Sequence, residues 1–431
     1  MSDRRVQQRT SRSDTGDSPR VLELGAAAHI TFLAFGVSSL LPWSAVVLAL
    51  PFFLGRLSET PFHDTFASWL TFLLNGATLL SMGVATWSGG RLTGPSACAF
   101  SMVIMVFLFG LLAVIPFFDL PAAIFFTAII SISVVLSSTA GFLQTFTIAL
   151  APKYGSSAIT SYMAGSALCA IGVSALQVFT AYTSTGVERS DLDSASRSAM
   201  VCFATAAMAS VLTLISFHVL VGGVHDFRCY DHEDSVNQLA SERTRLITSN
   251  IEPASRSSPN VTTLRNYRTH FRCNFAIFYS GVVTLAVLPA VTTLIEPIDP
   301  RINPLIFNAL HFLMFNMADL LGRILASTPI FPNDDTVLLV YSLARTIFVP
   351  IFLVCNVPGH WSTIITSDAM YMLILFLFGL TGGHSTTLAL ISAAEKDDPA
   401  SSGEAVQVTQ FWMMSGFVAG GIASFGVITL L

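Results

Sequence analysis

Long apolar runs alternate with short polar segments along the chain, and their lengths predict membrane-spanning helices. About eleven runs reach roughly 20 residues or more, the helix length that crosses the hydrocarbon core of a bilayer. They lack the alternating pattern of about ten residues that is typical of a membrane β-strand. The pattern therefore predicts an all-α membrane protein with about 11 transmembrane helices. The runs cover roughly residues 24–54, 66–90, 96–118, 121–150, 157–181, 198–224, 274–295, 302–326, 336–357, 369–393 and 405–430.

Two longer polar segments divide these runs into a 6+5 arrangement. Residues 1–20 are rich in Ser, Arg and Asp and lack the apolar core of a cleavable signal peptide, so we expect a disordered cytosolic tail. Residues 225–269 are polar and predict a cytosolic central loop with little order. The membrane portion then consists of a six-helix bundle over residues 21–224 and a five-helix bundle over residues 270–431.

The composition fits a membrane protein and excludes several other classes. Hydrophobic residues make up 53% of the chain and charged residues only 11%, whereas soluble domains carry roughly 25% charged residues. There is no dense Lys/Arg block, so we expect no nucleic-acid partner. The six cysteines are scattered without CxxC spacing, and we expect neither a metal site nor another cofactor.

Lysine and arginine residues are distributed unequally between the two sides of the predicted array. With a cytosolic N-terminus, 15 of them lie in cytosolic segments and 4 on the opposite side. Cytosolic loops of membrane proteins carry an excess of Lys and Arg. We therefore predict a cytosolic N-terminus and an extracellular or lumenal C-terminus, with the plasma membrane favoured over an intracellular membrane.

The eighth run contains charged side chains within an otherwise apolar helix. Phe312, Asn316, Asp319 and Arg323 follow one another at intervals of four, three and four residues, which places them on one face. An ionised side chain at the centre of a span costs roughly 2.5–3.5 kcal/mol, so it usually faces a cavity or a partner. A ring, an amide, a carboxylate and a guanidinium on one face suit a flat polar solute with several hydroxyl groups. The alternative is an ion pair that only joins helices; the presence of the amide beside two charges favours a binding site.

Three further side chains within the runs carry polar groups. Trp43 lies deep in the first run, where its indole offers a face for stacking a planar base. Gln144 in the fourth run can read the edge of a base or form an interhelical hydrogen bond. Arg345 in the ninth run has two equally weighted interpretations: it neutralises Asp319 from a neighbouring helix, or it extends toward a membrane interface.

Small residues and histidines add structural expectations. Gly416 and Gly420 form a GxxxG pattern, which predicts close helix packing. We expect His218 and His311 to be interior histidines with satisfied hydrogen bonds, and His384 to line a cavity. Their spacing is typical of neither a metal site nor a catalytic site.

The motifs of the chain resemble those of the equilibrative nucleoside transporters. The resemblance covers nearly the whole membrane portion, including the number of spans and the long loop after the sixth. The segments that carry it are LLPW at residues 40–43, LPAVT at 288–292, FNMADLLGR at 315–323, and LAR at 343–345 followed by FVP at 348–350.

This resemblance implies a fold related to the major facilitator fold, with alternating access about a site near the membrane midplane. It implies that Trp43 lines the pocket beside the nucleobase and that Gln144 binds the base. It also implies that Asp319 and Arg323 hold the ribose hydroxyls, with Asn316 on the same face.

The resemblance further implies a cytosolic gate and a set of partners. Arg91 and Glu404 fall where the family places charged residues near that gate. The partners are a nucleoside or nucleobase substrate and the lipid bilayer, with no obligatory protein partner and no enzymatic activity.

Three departures from the family pattern leave the substrate open. Ser44 replaces the usual Asn after the tryptophan, the fifth run reads ITSYMAG at residues 159–165, and the first external loop is short. Nucleobases are therefore an alternative to nucleosides. A facilitator for a sugar or a drug is an alternative within transport, and an intramembrane enzyme that uses His218, His311 or His384 is one outside it.

Asp319 also bears on the energetics of transport. It is the only acidic residue well inside a run, and Arg323 one turn away favours its charged form. A carboxylate that stays charged is a poor proton carrier. The sequence therefore predicts facilitated diffusion without obligatory proton coupling, with His311 and His384 as the alternative proton carriers.

Overall fold

The computed structural model describes residues 25–58, 60, 63–88, 94–118, 120–184, 192–223, 270–328, 334–357, 364–397 and 401–428, which form helices and connecting turns. The predicted tail at 1–20 and the predicted central loop at 225–269 lie outside the described residues.

The first bundle contains the six predicted spans. The first of them consists of two helices in direct succession, which together run over residues Ala26–Leu57. The helices are α1 (Ala26–Leu48), α2 (Leu50–Leu57), α3 (His63–Trp87), α4 (Pro95–Val114), α5 (Ala122–Leu150), α6 (Ser156–Ser184) and α7 (Leu192–Gly223).

The second bundle contains the five remaining spans. Its helices are α8 (Phe271–Val287), α9 (Pro304–Leu325), α10 (Asp335–Ala344), α11 (Phe348–Leu353), α12 (Asp368–Lys396) and α13 (Ser402–Ile428). In the described part of the chain, 10 helical segments are long and apolar enough to cross a membrane. Helix α13 is not one of the ten, but with 27 residues it lies at the predicted eleventh run and packs lengthwise against α8.

The ninth span is broken, although its sequence is one apolar run. A 3₁₀ turn at Arg345–Ile347 separates α10 from α11. A proline in a helix interior costs about 3 kcal/mol or more, because it removes a hydrogen bond and crowds the preceding turn. The restart at Phe348 places Pro350 in a first turn, where its missing N–H leaves no bond unmade.

The two bundles repeat the same pairing of helices. In the first bundle α1 packs along α6 and α3 along α5, which are spans one with five and two with four. In the second bundle α8 packs along α13 and α9 along α12, which are spans seven with eleven and eight with ten. The predicted all-helical fold with two related bundles is therefore confirmed.

Glycines bring these paired helices into backbone contact. Gly36 of α1 faces the carbonyl oxygen of Tyr162 in α6, and Gly416 of α13 faces that of Phe278 in α8. Gly420 packs on the next turn of α8, so the predicted role of the GxxxG pattern in close packing is confirmed. In lipid the hydrophobic effect does not drive helices together, and close van der Waals packing takes its place.

The bundles touch each other at the end where α13 begins, which is the predicted cytosolic end. Gly403 of α13 packs against the carbonyl oxygen of Ala149 near the end of α5. One turn further along α13, Gln407 Nε2 donates to Thr145 O at 3.2 Å. The interface between bundles is therefore closed at this end.

A larger side chain at Gly416 is expected to destabilise the fold. In Gly416→Val the new atoms overlap the backbone of α8, and overpacking of this kind costs typically 1–3 kcal/mol. The measurement is the melting temperature of the purified protein in detergent. Gly110→Val in α4 is the matched control, because a Cβ at Gly110 meets no atom within 4 Å. Equal melting temperatures for the two variants would contradict the tight packing of α8 and α13.

Candidate functional site

Asp319 and Arg323 form an ion pair within α9. Arg323 Nε donates to Asp319 Oδ2 at 2.7 Å, and the two side chains are only 16% and 12% exposed, respectively. Among the described residues Asp319 is the only acidic residue that is buried. Removing one member of such a pair would leave the other charge buried without compensation.

Glycines of α12 fix the position of Asp319. Gly383 packs directly on the backbone and carboxylate of Asp319, and Gly379 packs on the carbonyl oxygen of Phe315 one turn earlier. From the α9 side, Gly322 contacts the backbone of α12 in the same way. The close crossing of α9 and α12 therefore leaves Asp319 little freedom to move away.

Arg323 also joins the second bundle to the first. Its Nη1 donates to Met163 O at 3.0 Å and to Ser166 Oγ at 2.9 Å, both in α6. A guanidinium has five N–H donors in a fixed plane, so one side can bind a carboxylate while another binds a different helix.

Asn316 makes a second connection between the bundles. Its Nδ2 donates to Ser174 Oγ in α6 at 2.6 Å and lies 3.5 Å from Ala170 O. Asn316, Asp319 and Arg323 therefore lie together on the face that α9 turns toward α6. Whether they bind a ligand stays a prediction.

Trp43 and Gln144 lie in the first bundle, close to α6. Gln144 Nε2 donates to Ser39 O in α1 at 3.1 Å, and Trp43 is half-buried one turn beyond Ser39. Gln144 thus forms the interhelical bond that was one of its two interpretations, but its buried Oε1 has no hydrogen-bond partner in the described part of the chain.

Phe312 lies about three turns before Arg323 in α9, on the wall of a cavity. The cavity has a volume of about 320 Å³ and lies between the end of α6 and the start of α9. Asn308, four residues before Phe312, and Gln177 of α6 also line it. Neither amide was predicted from the sequence, although Asn308 continues the spacing of Phe312 and Asn316 by one more turn.

The face of α6 that contacts α9 was not predicted from the sequence either. Its members recur at helical intervals of three or four residues, which was the available signal, but they are small or uncharged and do not stand out in an apolar run. They are Met163, Ser166, Ala170, Ser174 and Gln177.

Of the two predicted interpretations of Arg345, extension toward a membrane interface is wrong, whereas neutralisation of Asp319 stays a prediction that would act without direct contact. Arg345 is only 2% exposed, so it does not extend toward a membrane interface, and no described carboxylate lies within 4 Å of it. Its guanidinium instead donates to Ser280 O at 2.9 Å, to Thr284 Oγ1 at 3.1 Å and to Phe378 O at 3.2 Å. It also lies over the Phe378 ring at 4.9 Å, so uncharged groups of two helices, α8 and α12, hold this cation.

The structure confirms only part of the predicted burial and hydrogen bonding of the three histidines. His218 is exposed on α7, with Nδ1 2.9 Å from Leu214 O, so the prediction of an interior histidine is wrong there. His311 is buried as predicted, but its Nε2 has no hydrogen-bond partner among the residues described. His384 is buried on α12 with its ring 5.7 Å from that of Tyr341. No group of three or more potential metal ligands occurs in the described ranges.

The predicted gate and orientation are not tested by the structure. Glu404 is exposed in the first turn of α13, whereas Arg91 lies outside the described residues. Both chain ends also lie outside them. The Arg91–Glu404 pair and the cytosolic N-terminus therefore stay predictions.

The chain is similar to a family model, to individual relatives and to solved structures. A family model described as "Nucleoside transporter" matches residues 129–429. The equilibrative nucleoside transporter 2 of Mus musculus is 24% identical, with 92% of this chain and 95% of the relative aligned. The equilibrative nucleoside transporter 1 of Homo sapiens is 22% identical, with 93% and 96% aligned. Among solved structures, a proton:xylose symporter of the major facilitator superfamily superposes with a TM-score of 0.60 at 11% identity, over 94% of this chain and 87% of that one. This last likeness shows the fold alone.

Proposed function

The chain belongs to the nucleoside transporter family, and from this premise we propose that it carries nucleosides across a membrane by alternating access. The relatives named above are equilibrative nucleoside transporters whose length this chain spans almost completely. Two bundles with a polar face at their interface provide the architecture that such a carrier needs.

The ion pair of Asp319 and Arg323 is the observation that carries this proposal. A ribose presents neighbouring hydroxyl groups, each of which can donate and accept a hydrogen bond. The carboxylate accepts from these hydroxyls, and the guanidinium donates to them. A hydrogen bond to a charged group contributes about 1.5–3 kcal/mol, more than one between neutral groups.

The nucleobase is bound by the aromatic and amide groups around the pair. Trp43 stacks against the base, and the unused Oε1 of Gln144 accepts a hydrogen bond from a base N–H. Phe312 closes the opposite side, and Asn316 exchanges its bond to Ser174 for one to the ligand. Trp43 and Gln144 thus gain contacts in the loaded state, whereas Asn316 exchanges one hydrogen bond for another.

Alternating access follows from the few hydrogen bonds that join the bundles. In the conformation described, the bundles are closed where α13 begins, and a cavity separates α6 from α9 at the other end. A ligand that binds Arg323 and Asn316 competes for the donors that hold α9 to α6. Ligand binding therefore weakens this connection and permits the bundles to rock about the site.

Substitution of the ion pair should stop transport without preventing insertion into the membrane. We expect Asp319→Asn and Arg323→Ala each to lower nucleoside uptake about tenfold or more, because each removes a charged hydrogen bond to the sugar. The measurement is uptake in a transport-deficient cell, normalised to surface expression. Asp299→Asn is the matched control, since this exposed aspartate lies in a loop and is expected to leave uptake unchanged. Normal uptake in both α9 variants would place the site elsewhere.

We also propose that transport is facilitated diffusion. Arg323 holds the carboxylate of Asp319 in an ion pair. A carboxylate that is paired with a cation is a poor proton carrier. Accumulation of a non-metabolised nucleoside in proteoliposomes should stop at equal internal and external concentrations, with or without an inward proton gradient. Uphill accumulation that a protonophore abolishes would contradict this and would identify buried His311 and His384 as the first residues to replace.

The orientation follows from the charge bias rather than from the site. We propose that the N-terminus is cytosolic, that the C-terminus lies on the other side, and that the protein resides in the plasma membrane. The 15-to-4 distribution of Lys and Arg supports this orientation. A tag at Met1 should be protected from external protease in intact cells while a tag after Leu431 is cleaved. The reverse pattern would overturn the orientation.

A further inference from the structure

The cavity between α6 and α9 lies beyond the end of the ligand site proposed above. Gln177 and Ala181 of α6 and Leu305, Asn308 and Phe312 of α9 line it. Its volume of about 320 Å³ is at the lower end of the range of small-molecule pockets, roughly 300–1,000 Å³. It therefore has room for one small ligand.

Polar side chains occur at three successive levels between α6 and α9. At the first level Arg323 bonds to α6, and at the second Asn316 bonds to Ser174 at 2.6 Å. At the third level Asn308 and Gln177 line the cavity from the two helices, and the described residues include no hydrogen bond between them. Hydrogen bonds thus connect α6 and α9 at the first two levels, whereas at the third level the described side chains form none and a cavity lies between the helices.

Asn308 presents an unused acceptor at this open level. Its Oδ1 is buried and has no hydrogen-bond partner among the residues described. A buried acceptor without a donor is unfavourable, and an N–H of a ligand would satisfy it. Gln177 supplies both a donor and an acceptor, and the ring of Phe312 supplies a face for stacking.

We propose that this cavity is an outer subsite that binds the nucleobase of an arriving nucleoside. A planar base carries N–H donors and acceptors on its edge and a π-face above it, which matches Asn308, Gln177 and Phe312. This subsite rests on the transport function proposed above.

The outer subsite and the ribose site are used in succession. Asn308 precedes Asp319 by 11 residues, about 16 Å along a helix that rises 1.5 Å per residue. A nucleoside is shorter than this distance, so it leaves Asn308 before its ribose reaches the ion pair. Phe312 lies between the two levels and contacts the base in both positions.

Near-isosteric apolar variants test the subsite. Asn308→Leu and Gln177→Met keep the volume of the cavity and remove its hydrogen bonds. We expect each to raise the KM of adenosine and uridine uptake roughly two- to tenfold, the effect of one neutral hydrogen bond, with unchanged uptake at saturation. Asn75→Leu is the matched control, because this exposed asparagine bonds only within its own helix α3.

A binding measurement separates this subsite from the transport function. Free adenine or uracil should raise the melting temperature of the full-length protein in detergent equally in the wild type and Asn75→Leu, and by less in Asn308→Leu, where only the site around Trp43 and Gln144 still binds a base. If the wild type transports nucleosides while Asn308→Leu and Gln177→Met match Asn75→Leu in both measurements, the subsite is wrong and the transport function stands. If both variants lower saturated uptake with unchanged KM, the amides form a latch between helices and the subsite is again wrong. If the wild type transports no nucleoside but a base still stabilises it through Asn308, the subsite stands and the transport function falls.

Discussion

The placement of a charged pair inside an apolar helix bundle is the constraint on which this structure depends. A single charge in the membrane interior is unfavourable, so Asp319 and Arg323 compensate each other over 2.7 Å within α9. The pair can be buried because glycines of α12 let the two helices approach at backbone distance. Without these glycines a side chain would occupy the space in which Asp319 lies. The crossing of α9 and α12 therefore determines both how these helices pack and where the charged pair lies.

The same constraint explains how the bundles can move. Within each bundle, glycine contacts hold helices together over long stretches, as between α8 and α13. Between the bundles, polar side chains such as Arg323 and Asn316 make hydrogen bonds that a polar ligand can replace. Rigid bundles with an exchangeable polar interface favour rocking as whole bodies over internal rearrangement. Arg345 belongs to the rigid part, since uncharged groups of its own bundle satisfy its guanidinium.

Much of this arrangement could be predicted from local pattern, but partners across helices could not. Helical spacing placed Asn316, Asp319 and Arg323 on one face, and the small residues Gly416 and Gly420 predicted a close helix contact. The partners of Arg345 and the bond from Gln144 to Ser39 depend on which helices are neighbours, and an apolar run does not encode that choice. The amides Asn308 and Gln177 were missed because the cavity that they line arises only from the packing of α6 against α9. The break before Pro350 follows from proline chemistry, although the run itself is continuous.

The central claim is that Asp319 binds the hydroxyl groups of the ribose. The most direct test removes the carboxylate, the hydroxyl groups, or both, and compares the binding affinities. The affinities of uridine and 2′,3′-dideoxyuridine would be measured for the wild type and for Asp319→Asn. We expect loss of the hydroxyls to weaken binding to the wild type at least tenfold, about 1.4 kcal/mol, and to weaken binding to Asp319→Asn by a clearly smaller factor, because only Arg323 still binds the hydroxyls there. The same ratio of affinities in both proteins would show that Asp319 does not contact the sugar, and would contradict the account.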